Sequence, residues 1–351
     1  MKQYLIPNEG NFYKANMHTH TTISDGRLTP EEIKAIYKAQ GYSVVAFTDH
    51  NIIMDHSDLN DEEFLTITGV EINTEKPVER MVTPCEMRCY HLNFYAPRPD
   101  TATFPGASLT YIPAAWHDRV NKENYTGNYI RRYDVQAQNE MIAMMREKGF
   151  LTSYNHPAWS MQIYPDYATL EGIHTLEVYN SGCINMGYEL DASDHVLQDM
   201  LCLGKRVFPV ATDDIHNTCE ACKGWICVKA DALDYDTFMT AYGKGDFYAS
   251  WGPAIEQLWV EDGVLHVECS GVKTIYLVTE RRRAGRKDAL EGSVLTEGSF
   301  DLKQYYDEVH RGTYDSRAFV RLVLVDHDGN KAMTRGYFAD ELSLAARGLA
   351  E

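Results

Sequence analysis

Positive charge is scarce in this chain. Its 33 lysines and arginines face 51 aspartates and glutamates, a formal net charge of −18 over 351 residues. A balance this acidic excludes the basic footprint of a protein that grips duplex nucleic acid. It leaves room for a nucleotide or other small phosphorylated molecule, because bound cations would invert the local sign. Long apolar runs are also missing: none approaches the ~20 residues that span a bilayer. The opening MKQYLIPNEGNFYKAN has no long apolar stretch of the secretory kind, so a cytoplasmic protein with no membrane partner is expected. The eight cysteines (85, 89, 183, 202, 219, 222, 227 and 269) are too scattered for a small disulfide framework, and reduced thiols fit better. What is plentiful is core material, 44% hydrophobic residues, in a length that favours two domains.

Up to about residue 250, short apolar runs alternate with helical patterns. The first helix is announced by Leu28-Thr29-Pro30-Glu31-Glu32-Ile33. Thr29 suits the N-cap, Pro30 the first helical position, and Glu32 closes a capping box that Leu28 and Ile33 staple. Ile33, Ile36 and Tyr37 share a face, and Gly41 ends the helix. The run SVVAFTDH then reads as a buried strand ending on Asp49 and His50. That ending recurs. FLTITGVE finishes on Glu71, CYHLNFY carries His91, LTSYNH ends on His156, and VFPVATDDIH ends on Asp214 and His216. Helices are expected near 134–148, with Ala137, Met141 and Met144 on one face, and in HVLQDMLCLGKR; GIHTLEVYN is a further strand. Strands alternating with helices, with ligand-type residues at the strand ends, are how an α/β barrel builds a site on its carboxyl rim.

After Trp251-Gly252-Pro253 the pattern changes to strands: LHVEC after an Asp262-Gly263 turn, TIYLVTE, FVRLVLV, and a DHDGN hairpin turn. A helix near ADELSLAARGL closes the chain, and a β-sandwich of about a hundred residues is expected.

The candidate site is His18, His20, Asp25, His50, Glu71, His91, His156, Asp214 and His216. It takes six of the thirteen histidines. One such histidine would ordinarily be structural; nine such residues on successive strand ends are not independent accidents. Residues i and i+2 of an extended segment point the same way, so His18 and His20 aim at one place. Imidazole with carboxylate suits zinc, manganese or iron, and a set without thiolates is unlike a structural zinc site. Nine ligands exceed one ion, so two or three divalent ions are implied.

The motifs HTHTTISDG, TDHN, GVEI, YNHP and ATDDIH are similar, in order and spacing, to those of the PHP (polymerase and histidinol phosphatase) domain family, over roughly residues 14 to 250. The resemblance implies an α/β fold: a distorted (β/α)7 barrel over 1–250, followed by a smaller all-β, sandwich-like accessory domain over 251–351. It also implies that His18, His20, Glu71 and Asp214 hold a first ion. Glu71 would bridge to a second ion held by His91 and His156, and Asp25, His50 and His216 would hold a third.

Bridging ions acidify a bound water and polarise a phosphoryl oxygen. The expected activity is therefore hydrolysis of a small phosphomonoester or cyclic phosphodiester by a metal-bridging hydroxide, with Glu71 and Asp214 acting through it. Asp213, beside Asp214, is a candidate proton donor to the leaving group or an orienter of a ligand histidine. In residues 98–133 five basic side chains (Arg98, Arg119, Lys122, Arg131, Arg132) outnumber three acidic ones, and Arg131 and Arg132 are candidates for binding the phosphate. Glu177 and Asn180 are expected to support the barrel. The alternatives are a metal-dependent amidohydrolase or deacetylase, or a non-catalytic binding protein with structural metals.

Overall fold

Strand character in the first half comes from unbroken apolar runs, which suit a sheet covered on both faces. The computed structural model describes residues 2–77, 87–280, 282, 284–302 and 318–342. The elements before residue 100 are β1 (Gln3–Tyr4), β2 (Asn11–Asn16), α1 (Pro30–Ala39), β3 (Val44–Phe47), β4 (Leu65–Glu75) and β5 (Cys89–Tyr95). A long excursion leads to α2 (Val135–Glu147), β6 (Leu151–Tyr154), α3 (Tyr164–Tyr167), β7 (Thr175–Asn180), α4 (Ser181–Asn185) and α5 (His195–Cys202). The first half closes with β8 (Phe208–Thr212), β9 (Trp225–Ala230), α6 (Tyr235–Lys244) and β10 (Phe247–Ser250).

Local signals act as expected in α1. The Thr29 hydroxyl accepts the Glu32 N–H at 3.3 Å, and the Glu32 carboxylate accepts the Thr29 N–H at 2.8 Å. Ile33 and Tyr37 are buried. In α2 the inward stripe is Ala137, Met141 and Met145, flanked by Gln138 and Ile142. Met144, expected on that face, lies half-buried at its edge, because the buried arc runs from Ala137 through Met141 and Gln138 to Ile142 and Met144 falls just outside its Ala137 end.

β2, β3 and β4 run parallel, as do β6, β7 and β8. Between them β5 is antiparallel to both neighbours, a departure from uniform β-then-α alternation. Its reversal is useful: a reversed strand brings its amino end to the rim where its neighbours bring their carboxyl ends. His91, the third residue of β5, thus stands opposite Asn73 near the end of β4. Past β8, Asp214 N–H donates to His18 O and His20 N–H to Ile215 O, each at 3.1 Å. The chain after β8 therefore lies beside the chain after β2.

Beyond residue 250 come β11 (Ile255–Glu261), β12 (Val264–Val272), β13 (Thr274–Thr279), β14 (Gly285–Asp288), β15 (Leu295–Asp301), β16 (Phe319–Val325), β17 (Lys331–Met333) and β18 (Tyr337–Phe338). The large sheet continues through β9, β10, β17, β16, β13 and β14, so strand pairing crosses residue 250. A second sheet of β1, β11, β12 and β15 packs on it around Leu258, Val267, Leu277, Leu322 and Leu324. The Asp262-Gly263 turn has positive φ at both residues (51° and 82°), the geometry of a two-residue hairpin. In the DHDGN turn Asp326 accepts the N–H groups of Asp328 and Asn330. The expected closing helix near residues 339–349 falls largely outside the described residues. Among the described residues no helix is long and apolar enough to cross a membrane.

Candidate metal centre

The nine residues named from sequence converge. His18 and His20 leave the end of β2 on one side of the chain, and their Nε2 atoms lie 3.1 Å apart. Between them and the rest stand two carboxylates. Glu71 Oε1 lies 3.3 Å from His18 Nε2, 3.0 Å from His91 Nδ1 and 3.4 Å from His156 Nε2. Its Oε2 lies 3.3 Å from His20 Nε2 and 3.1 Å from His50 Nδ1. Asp214 Oδ1 lies 3.2 Å from His18 Nε2 and 3.1 Å from His20 Nε2. At a more open corner, Asp25 approaches His20, His50 and His216 at 3.5, 3.7 and 3.5 Å.

Backbone strain helps to deliver two of these side chains. His156 (φ 24°) and Asp214 (φ 50°) occupy the left-handed region that L-residues avoid unless their surroundings impose it. The loop carrying Asp25 depends on Gly26, where an added Cβ would sit 2.5 Å from the carbonyl carbon and oxygen of His20. Asp49 ties that loop down from inside, accepting from the Thr21 and Ser24 N–H groups at 2.8 and 3.0 Å.

The electrostatics call for a cation. Burial by itself would raise the Glu71 and Asp214 carboxyls, yet the surrounding imidazoles hold both well below the usual carboxylate range. Burial likewise works against charge on His18 and His20, and the same carboxylates overcome it, taking His20 up to about 10. At His50 burial wins and the imidazole drops to about 3, which keeps it neutral with one ring nitrogen able to accept. Among the described residues, Asp214 Oδ1 and His50 Nδ1 are buried with no hydrogen-bond partner. Imidazole and carboxylate groups facing one another, with orphaned buried atoms among them, fit divalent metal ions, whose binding would displace the protons on His18 and His20. Geometric groupings of this kind include His18–His20–Asp214, His50–Glu71–His91 and His20–Asp25–His50–His216.

Behind the cluster stand Glu177 and Asn180, expected from sequence only as supports, and Asn155 and Glu220, which the sequence did not single out. Glu177 on β7 accepts from His18 Nδ1 at 2.7 Å, the His156 N–H at 2.8 Å, Asn180 at 2.9 Å and Thr212 at 2.7 Å. It fixes the tautomer that turns His18 Nε2 toward the centre. Its signal in sequence was only its place near a strand end. Asn155 donates to Glu71 at 2.9 Å, and Glu220 accepts from the His216 and Asn217 N–H groups at 2.6 and 2.8 Å. The cavity beside the cluster holds about 430 Å³. Trp159, Cys183 and Met186 form its apolar wall, and Asn185 and Asn217 its polar one.

Three expectations need correction. Asp213 does not face the cavity: its carboxylate accepts from the Tyr37 hydroxyl and from the N–H groups of Cys222, Lys223 and Gly224 at 2.6–3.0 Å. With both oxygens so engaged it braces the chain behind the cluster. Arg132 pairs with Asp134 and Glu140 at the start of α2. Arg131 donates from Nη1 to Asn51 Oδ1 at 2.5 Å and to Asn73 O at 3.0 Å, so that nitrogen is engaged by the protein. Neither arginine lines the cavity.

No family model matches the chain. A 65-residue segment, 17% of the chain, is 42% identical to a 5′-3′ exoribonuclease from Haemophilus influenzae and spans 24% of that protein's length. A two-domain protein from Bacteroides vulgatus, described as containing a predicted PHP-like metal-dependent phosphoesterase, aligns at TM-score 0.45 and 14% identity over 96% of this chain and 97% of its own. The chain is similar to PHP-like metal-dependent phosphoesterases. An amidohydrolase from Chromobacterium violaceum, solved with bound sulfate, aligns at TM-score 0.36 and 15% identity over 59% of this chain and 88% of its own.

Proposed function

We propose that this chain is a metal-dependent hydrolase cleaving a small phosphomonoester or cyclic phosphodiester. The observation that carries the reading is the set of imidazole nitrogens and carboxylate oxygens facing one another at 3.0–3.4 Å around Glu71, with orphaned acceptors among them. In this reading β2 to β8 form a distorted seven-stranded barrel over residues 1–250, and residues 251–351 are an accessory β-rich domain. Divalent ions held there would supply Lewis acidity toward a phosphoryl oxygen and acidify a water to near-neutral pKa.

The chain's own residues prepare that chemistry. Glu177 holds His18 with its Nε2 lone pair inward. Glu71 spans the cluster, one oxygen toward His18, His91 and His156 and the other toward His20 and His50. Trp159 packs edge-on against His91 and His156, with ring centroids 5.4 and 5.1 Å away, and shields one side from water. Among the described residues no lysine or arginine lines the cavity, whereas Asp25, Glu71, Asp214 and Glu220 do. An anionic phosphoester would be repelled there unless cations intervene, so binding as well as turnover should depend on metal.

Phosphate release from a panel of phosphomonoesters, and of cyclic phosphodiesters coupled to a phosphatase, tests the reading with manganese and after metal stripping. Release should need metal. Glu71→Gln should abolish it, by more than the roughly 100-fold that loss of an outer partner brings. Near-normal turnover in Glu71→Gln refutes the mechanism. Silence across the panel with metal demonstrably bound transfers the assignment to carbonyl substrates, which the same donors would serve.

A further inference from the structure

The basic excess in residues 98–133 lies beside the metal centre yet contributes nothing to the cavity lining. Two of its four arginines, Arg98 and Arg132, pair with carboxylates, whereas Arg119 and Arg131 are aimed at backbone and amide oxygens. Arg119, at the end of the short turn Ala114–Arg119, places one guanidinium nitrogen 2.9, 3.1 and 3.0 Å from the carbonyl oxygens of Thr22, Ile23 and Ser24. Its guanidinium lies 5.7 Å from the centre of the Trp116 ring. On the other flank, Arg131 lies 3.9 Å over the Tyr111 ring and donates to Asn51 and Asn73. Between the two, the Tyr125 hydroxyl accepts the Ile53 N–H at 3.0 Å.

The gripped residues are not arbitrary. Asp25 directly follows the three carbonyls held by Arg119, and His50 directly precedes Asn51. Asp25, His50 and His216 are also the most exposed members of the cluster, with side chains 40%, 18% and 31% accessible against 10% or less for the other six. A buried ligand is held by the packing around it. An exposed one on a loop needs another restraint, because metal geometry tolerates only about 0.5 Å of displacement. Three successive carbonyls turned to one side would also repel one another and draw in water without a cation over them. Asn51 adds to the need, since its φ of 60° is a left-handed conformation that must be imposed.

We propose that residues 98–133 act as a strap whose Arg119 and Arg131 are positioning residues for the exposed corner of the metal centre. Arg119 sets Asp25 through the backbone of residues 22–24, and Arg131 sets His50 through Asn51. This rests on the reading of the cluster as a metal centre. It implies that the ion at the Asp25–His50–His216 corner is gained or lost separately from those deeper in.

Full-length Arg119→Met, Arg119→Lys and Arg131→Met test it with two readouts. In metal-stripped protein, amide exchange over residues 21–25 should quicken in Arg119→Met. It should stay near wild type in Arg119→Lys, whose ammonium can still donate to the three carbonyls. Manganese titration followed by metal analysis should show one class of ion weakened by roughly 10–100-fold in Arg119→Met and in Arg131→Met, with the others unchanged. Unchanged exchange and unchanged affinities overturn the proposal. So does equal weakening of every ion, which would mark a general loss of structure. A wild-type chain that takes up no ion refutes the hydrolase reading instead, and the exchange data then decide whether the strap holds the loop.

Discussion

Replacing Glu177 with glutamine alters almost nothing in size and a great deal in hydrogen bonding. The carboxylate accepts four bonds: His18 Nδ1 and Thr212 Oγ1 at 2.7 Å on Oε1, the His156 N–H at 2.8 Å and Asn180 at 2.9 Å on Oε2. An amide offers one acceptor oxygen and turns an NH₂ donor toward the other pair. If the NH₂ faces His18, the imidazole must accept at Nδ1 and carry its proton on Nε2, the atom 3.2 Å from Asp214 and 3.3 Å from Glu71. That proton blocks the lone pair a metal needs. If the NH₂ faces the other way, the His156 N–H and Asn180 lose their acceptor inside a buried site, at about 1–3 kcal/mol each. Either orientation should weaken metal binding by 10–100-fold, which corresponds to about 1.4–2.7 kcal/mol. Metal retained after dialysis against graded chelators measures the affinity directly, and turnover at saturating manganese should recover in part. Thr212→Val serves as the control, since it removes one donor without touching His18. Metal retention and turnover in Glu177→Gln within about twofold of wild type would refute the argument that this carboxylate sets the His18 tautomer.

Other outcomes follow from single features of the fold. Burial lowers His174 from 6.5 to about 4 while its Nε2 meets the Tyr242 carbonyl. Below pH 6.5 the unfolded chain takes up a proton there that the folded chain refuses until about pH 4, so this contribution is intact above 6.5 and lost as pH falls toward 4. Between pH 7.5 and 5 the wild type should lose about 2 kcal/mol more than His174→Gln, which keeps a donor for the carbonyl; equal losses in denaturant melts would count against it. Gly26→Ala should cost about 1–3 kcal/mol by overpacking against the His20 carbonyl and should impair metal uptake. A variant with unchanged melting and metal content would mean that the loop has slack to spare.

Much of this protein is legible in its sequence because the relevant physics is local. The capping box of Thr29 and Glu32, the Asp262-Gly263 hairpin and the buried run of β3 each follow from a few neighbouring residues. The candidate set is legible for a related reason: a histidine or carboxylate at the end of an apolar run has few structural uses, and nine such residues recur in order and converge. What sequence could not decide was direction. Asp213 and Asp214 are adjacent, yet one carboxylate is held by Tyr37 and the N–H groups of residues 222–224 and the other faces the cluster, with Asp214 in the left-handed region. β5 reads like any other apolar strand, and only its pairing with β4 and β6 shows that it runs backwards and brings His91 in by its amino end. The arginines of residues 98–133 differ little in local context. Arg119 reaches the Asp25 loop, Arg131 the His50 loop and Arg132 neither, because those contacts close over long stretches of chain. Composition and periodicity carry which residues are available to a site; contacts distant in sequence decide which of them face it.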